Sequence, residues 1–128
     1  MAKQVFVFGS NEAGIHGAGA AKYAYREKGA RYGKSYGHFG DSFAIPTKDE
    51  KIGPMPFHRI RGYVKGFLAY AEGHHRLTFK VTAIGTGLAG YEHKDMAALF
   101  VGAPKNCKFD ERWKEFLGDE YEYFKAFE

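Results

Sequence analysis

Two glycine-rich segments, each placed directly after a short apolar run, constrain the fold of this chain more than any other feature. The apolar runs are residues 4–8 and 77–84, and the glycine clusters that follow them lie within 9–19 and 85–90. β-Branched and aromatic side chains are frequent in both runs, which is typical of buried strands. Alanines recur at helical spacing beyond Gly17, so the first glycine loop is predicted to lead from a strand into a helix.

The rest of the chain continues the alternation of strands and helices. The spacing of apolar residues, prolines and glycines predicts helices from Gly17 to about Lys28, over 57–72, over 94–101 and over 111–117, the last capped by Asp110. It also predicts a loop over 30–41, a strand over 42–45 stopped by Pro46, and a strand over 106–109. Alternation of this kind predicts an α/β layered fold with a mostly parallel sheet. No repeat or low-complexity segment divides the chain, so residues 1–128 are predicted to form one domain.

Composition excludes several classes of protein. Hydrophobic residues make up 45% of the chain and the net charge is +4, a combination that excludes general disorder. No apolar run approaches the ~20 residues that a transmembrane helix needs, and residues 1–8 lack the order of a signal peptide. The single cysteine, Cys107, excludes an internal disulfide. We therefore expect a soluble, cytoplasmic protein that has no membrane partner.

The positive charge is small and unevenly distributed. Residues 1–50 carry seven basic and five acidic side chains, residues 51–104 carry seven and three, and residues 105–128 carry five and seven. This distribution does not form the basic face that a duplex nucleic acid requires, so no duplex partner is expected. A mild positive charge in the body of the chain does suit a phosphate-bearing ligand.

The two glycine segments are predicted to form a phosphate-binding site. In an open α/β sheet, ligands bind outside the carboxyl ends of the strands, where both segments lie. Glycine lets the backbone approach a ligand and present its N–H groups, and a helix N-terminus adds a favourable dipole. Two such loops suit a diphosphate, although either loop alone is equally typical of a tight turn. Gly33-Lys34-Ser35 is present, but Lys28 stands where the P-loop pattern Gly-x4-Gly-Lys-Ser/Thr has its first glycine, so a P-loop NTPase is not expected.

Both segments resemble the signatures of the macro domain, a family that binds ADP-ribose. The first resemblance is carried by Val7-Phe8-Gly9-Ser10-Asn11 followed by Gly17-Ala18-Gly19-Ala20-Ala21. The second is carried by Ile84-Gly85-Thr86-Gly87-Leu88-Ala89-Gly90-Tyr91. The resemblance covers residues 4–109 and is greatest to small macro-like proteins of bacteria and phages.

This resemblance implies a macro-type α/β fold with three layers, α/β/α, and a mixed, mostly parallel sheet. It also implies a site for ADP-ribose or a related nucleotide. By position, Asn11 would contact the distal ribose, Tyr91 would cover it, and the glycine loops would hold the diphosphate. The expected ligand-binding residues, with Lys48 added for its place after a strand, are Gly9, Ser10, Asn11, Gly17, Ala18, Gly19, Lys48, Gly85, Thr86, Gly87, Leu88, Ala89, Gly90 and Tyr91. Some members of the family hydrolyse ADP-ribosyl conjugates or ADP-ribose 1″-phosphate, and others only bind. The family's usual adenine-reading Asp is missing, since no acidic residue precedes Glu12.

Three side chains are candidates for catalysis if the protein is a hydrolase. Asn11 would orient a ribose hydroxyl or a water, His16 would act as a general acid or base, and Asp49 would polarise water. Each has a plainer interpretation: Asn11 closes its own turn, His16 is an ordinary loop histidine, and Asp49 is a surface residue. No metal or cofactor is expected, because the adjacent His74 and His75, together with His93, have no carboxylate at ligand spacing.

Other functions remain open from the sequence. One is a non-catalytic module that only binds a nucleotide. Another is a protein-interaction module, such as a phage-encoded host modulator, that uses the acidic, aromatic tail of residues 118–128; the alternative for that tail is packing against the body. A third is a Rossmann-like nucleotide phosphoribohydrolase, for which Glu92 is the candidate acid.

Overall fold

The computed structural model describes residues 3–125. Its strands are β1 (Lys3–Asn11), β2 (Gly37–Phe39), β3 (Ser42–Lys48), β4 (Leu77–Val81), β5 (Cys107–Asp110) and β6 (Glu122–Phe124). Its helices are α1 (Gly19–Glu27), α2 (Phe57–Glu72), α3 (His93–Ala98) and α4 (Lys114–Leu117), with a 3₁₀ turn over Glu111–Trp113.

The strands form one mixed sheet in the order β2-β3-β1-β4-β5-β6. Only β2 runs antiparallel to its neighbour, and every other pair is parallel. The chain passes from β1 to β3 on one side and then returns across β1 to β4 on the other. Because such crossovers are right-handed, crossovers in opposite directions place their helices on opposite faces of the sheet. The result is the expected three-layer α/β/α arrangement.

The side chains of β1 show how the layers are filled. Val5 and Val7 point to one face and pack in the large core beneath α2 and α3, while Phe6 and Phe8 point to the other face and pack against Ala24 of α1. All four β1 side chains are at most 3% exposed. This strand is therefore buried on both faces, which explains why its sequence is a continuous apolar run rather than an alternating one.

Several element boundaries differ from the sequence predictions. The strand predicted to stop at Pro46 continues to Lys48. β2 pairs only with residues 42–44 of β3, so at Pro46 the strand has a partner on one side alone, the condition under which a strand accommodates proline. The strand predicted over 77–84 ends at Val81, and residues 37–39, predicted as loop, form the edge strand β2.

The tail packs against the body through β6. This short strand pairs with β5, and the Tyr121 hydroxyl donates a 2.7 Å hydrogen bond to the Ala103 carbonyl. Tyr121 also packs edge-on against Phe109, with 5.1 Å between ring centroids. Phe127 lies outside the described residues. Between residues 3 and 125, no helix has the length and apolar character needed to cross a membrane.

Candidate functional site

One cavity of about 450 Å³ lies at the carboxyl ends of β1, β3, β4 and β5. β1 stands between β3 and β4, so the cavity sits where the strand order reverses, the usual ligand position in open α/β sheets. Both glycine loops contribute to its wall. Its lining comprises Gly9, Ser10, Asn11, Ile15, Gly17, Ala18, Gly19, Ala20, Ala21, Thr47, Lys48, Ile52, Thr82, Ala83, Ile84, Gly85, Thr86, Gly87, Leu88, Ala89, Asp110 and Arg112.

The structure brings most of the predicted ligand-binding residues to this wall. Twelve of the fourteen line the cavity, and only Gly90 and Tyr91 do not. The Tyr91 ring packs on Phe57, and its hydroxyl donates a 2.7 Å hydrogen bond to the carbonyl of Met55. Tyr91 therefore anchors the end of the second loop to the segment before α2.

The N-terminus of α1 opens into the cavity without a capping side chain. Ala18 is the N-cap residue, its backbone is extended, and no side chain bonds to the first turn. The backbone N–H groups of the first helical turn have no partner within an α-helix, and those of Gly19, Ala20 and Ala21 belong to lining residues. The first turn also carries no acidic residue. Together these features favour an anion at this position.

The amide of Asn11 stabilises the first loop. Its Nδ2 donates a 2.8 Å hydrogen bond to the Ile15 carbonyl, and its Oδ1 accepts one of 3.1 Å from the Ile15 backbone N–H. The side chain is 8% exposed and lines the cavity floor. Asn11 thus closes its own turn, and one amide N–H remains for a ligand.

His16 lies behind the first loop and not on the cavity wall. Its ring is 1% exposed and packs on Phe8 and Tyr32, with centroids 5.5 and 5.7 Å away. The Nε2 atom lies 2.8 Å from the Arg31 carbonyl, so Nε2 carries the hydrogen. The Nδ1 atom is buried without a partner. In this position, His16 supports the loop from the core side.

Asp49 also lies off the cavity wall, where it folds a turn. Its Oδ1 accepts 2.9 Å hydrogen bonds from the backbone N–H groups of Lys51 and Gly53. These two bonds, that of Gly53 first, lower the pKa of the Asp49 carboxyl below its usual value. The turn holds Ile52 at φ +60°, a backbone conformation that β-branched residues rarely adopt. Asp49 thereby positions Ile52, which does line the cavity.

The mouth of the cavity carries exposed aliphatic side chains. Leu88 is 78% exposed, Ile15 44% and Ile52 42%, and all three are lining residues. They come from the second loop, the first loop and the Asp49 turn. Aliphatic surfaces at this cavity suit the ring faces of a sugar or a base.

Charged groups stand at two sides of the cavity. Lys48 is half-buried at the end of β3, and no ion pair within residues 3–125 involves it. Asp110 and Arg112 stand at the end of β5, three strands away, or roughly 14 Å at the usual strand spacing. Neither residue is in a glycine loop. The sequence signal for them was Asp110 as a helix cap, which the structure confirms through its bond to the Arg112 N–H.

The remaining candidates lie elsewhere. Glu92 is exposed at the start of α3 and is not a lining residue. His93 accepts a 3.0 Å hydrogen bond from the Trp113 indole, and His74 stacks on Tyr70. No group of three or more potential ligand side chains in the described part of the chain is arranged to hold a metal ion.

Comparison with known proteins adds no assignment. No protein-family model, curated protein or solved structure matches this chain. The cavity itself is therefore the feature that indicates a function.

Proposed function

We propose that this protein binds ADP-ribose, a related nucleotide or an ADP-ribosyl conjugate in the cavity at the carboxyl end of the sheet. The observation that carries the proposal is that two glycine loops and the uncapped start of α1 border one cavity. Backbone amides of the two loops and of the first turn of α1 suit the two charged groups of a diphosphate. Lys48 adds a positive charge at one side of the cavity.

Binding without turnover is the form of this function that the cavity favours. Among the described lining residues, Asp110 is the only carboxylate, and Arg112 engages both of its oxygens. His16 and Asp49, the predicted acid–base candidates, stand off the wall. A hydrolase would have to work by positioning water with the free N–H of Asn11 and by stabilising charge with the loop amides. Cytoplasmic location stays a prediction.

Calorimetric titration with ADP-ribose tests the proposal, with AMP, ADP and NAD as comparison ligands. We expect micromolar binding of ADP-ribose and weaker binding of AMP, which lacks the diphosphate. Absence of heat with all four ligands would contradict the proposal.

Gly87 offers a variant that blocks the cavity and leaves the fold intact. A Cβ at Gly87 meets no atom within 4 Å, and its φ is not positive, so a side chain extends into open space. Gly87→Val should therefore weaken ADP-ribose binding more than tenfold. Gly62→Val is the matched control, because a Cβ at Gly62 also meets nothing and that residue lies exposed on α2. Equal affinities of the two variants would place the ligand elsewhere.

A further inference from the structure

Asp110 and Arg112 form a preorganised pair at the β5 end of the cavity. Arg112 Nε donates a 2.9 Å hydrogen bond to Asp110 Oδ1, and Nη2 donates one of 2.8 Å to Oδ2. The Arg112 backbone N–H adds a third bond of 2.9 Å to Oδ1. This side-on fork fixes the plane of the guanidinium, so the pair meets a ligand in one orientation.

The carboxylate of this pair is largely occupied, since Arg112 fills three of its roughly four acceptor sites. The Asp110 side chain is 5% exposed, and Arg112 bonds to each of its oxygens. Burial by itself raises the pKa of the Asp110 carboxyl, but the hydrogen bonds and charge of Arg112 outweigh burial and hold that pKa below its usual value. Asp110 is therefore ionised at neutral pH and has little capacity to accept a hydrogen bond from a ligand.

The guanidinium, by contrast, has hydrogen-bond donors that Asp110 does not use. Arg112 carries five side-chain N–H groups, and Asp110 takes two of them. The other three are on Nη1 and Nη2, and no further hydrogen bond of this side chain is formed within the described residues. The Arg112 side chain is 60% exposed and lines the cavity. A ligand at this end meets a flat array of donors.

We propose that Arg112, held in plane by Asp110, is a specificity-determining residue that binds a pair of acceptor atoms on the ligand. A guanidinium edge pairs with two acceptors and repels a donor, and the one carboxylate nearby is already engaged. For a nucleotide, two groups present such acceptors: a base edge of guanine type, with a keto oxygen beside a ring nitrogen, and a phosphate. Adenine is disfavoured there, because its amino group places a donor against the guanidinium.

This inference rests on the proposed function. Three ligands distinguish a base edge from a phosphate as the group that Arg112 binds. ADP-ribose presents an amino group, GDP-ribose presents the acceptor edge, and ADP-ribose 2′-phosphate adds a phosphate to the adenosine end. We expect the wild-type protein to bind either GDP-ribose or the 2′-phosphate at least about tenfold more tightly than ADP-ribose. Whichever ligand is preferred identifies the source of the acceptors.

Two variants separate the role of Arg112 from its role in folding. Removing Arg112 alone would leave the buried Asp110 charge unpaired, so Asp110→Asn is combined with Arg112→Gln to remove both charges. In this double variant the preference should fall to within about threefold. Arg112→Lys keeps the charge and loses the planar fork, so it should retain part of a preference for phosphate and lose a preference for a base edge. Arg76→Lys is the matched control, since Arg76 is exposed just before the amino end of β4, whereas the cavity lies at the carboxyl ends of the strands.

Equal binding of the three ligands to the wild-type protein would overturn the inference, as would a preference that survives in the double variant. If no nucleotide binds, the proposed function fails, and titration with inorganic phosphate then judges Arg112 by itself. Its side-chain Nε–H signal in an NMR spectrum, identified by its absence in Arg112→Lys, should shift on adding phosphate. An unchanged signal would overturn the Arg112 site.

Discussion

At the residue scale, burial lowers the reactivity of the Cys107 thiol. This single cysteine lies on β5, is 1% exposed, and burial raises the pKa of its thiol to about 12. The thiolate is the reactive form, so at pH 7 the native protein should not react with an aromatic disulfide reagent over an hour. One equivalent should react promptly after unfolding in guanidinium chloride. Rapid reaction of the native protein would show that β5 opens, and Cys107→Ala supplies the blank.

The glycines and the buried residues differ in how far the sequence could predict them. The cavity wall was predictable at Gly9 or Gly87, because both belong to glycine clusters at the carboxyl ends of predicted strands, where open α/β sheets bind ligands. The burial of His16 was not, since it depends on Phe8 and Tyr32 closing around the ring. The Arg112 site required knowledge that β5 stands beside β4. Long-range register, which local pattern does not encode, accounts for these differences.

At the scale of elements, Gly14 joins the first glycine loop to the segment before β2. Gly14 has φ +72°, and a Cβ there would lie 2.6 Å from the backbone carbonyl carbon of Gly33. The Gly33 N–H also donates a 2.9 Å hydrogen bond to the Gly14 carbonyl. Gly14→Ala should therefore cost about 2–4 kcal/mol of unfolding free energy, from backbone strain and forced separation of the two segments.

Gly33→Ala is the control for this prediction. Gly33 also has a positive φ, +81°, but a Cβ there meets no atom within 4 Å. Its substitution should cost only the backbone strain, about 1–2 kcal/mol. Urea denaturation of both variants measures the difference. Equal losses would mean that the close contact between the segments contributes nothing.

Long elements were easier to predict from the sequence than short ones. The predicted bounds of α2, residues 57–72, match the structure, because sixteen residues carry a clear helical period and Gly73 ends it. The three-residue strands β2 and β6 were missed, since strands of this length show no detectable alternation. Both lie at the edges of the sheet, where pairing with one neighbour defines the strand.

At the scale of the whole molecule, the uneven charge of the sequence is balanced internally. The acidic tail lies against the lysines that precede it: Lys105 pairs with Glu120 at 2.9 Å and Lys114 with Asp119 at 3.8 Å. Lys105 also lies 4.5 Å from the centre of the Tyr121 ring. These pairs are exposed and each contributes little stability. They give two acidic residues of the tail partners within this chain, so the segregation of charge does not by itself require a docking partner.

Substitutions in the tail should therefore lower the stability of the fold, as substitutions in the core do. Tyr121 packs on the buried Phe109, and Tyr121→Ala should cost about 3 kcal/mol and lower the thermal midpoint by roughly 10 °C. Tyr25→Ala removes a ring that is 45% exposed on α1 and should lower it much less. ADP-ribose affinity at 20 °C should survive both changes, because neither residue lines the cavity. An unchanged thermal midpoint for Tyr121→Ala would favour the tail as a docking surface. A loss of ADP-ribose affinity in that variant would mean that β6 supports the Arg112 end of the cavity through β5.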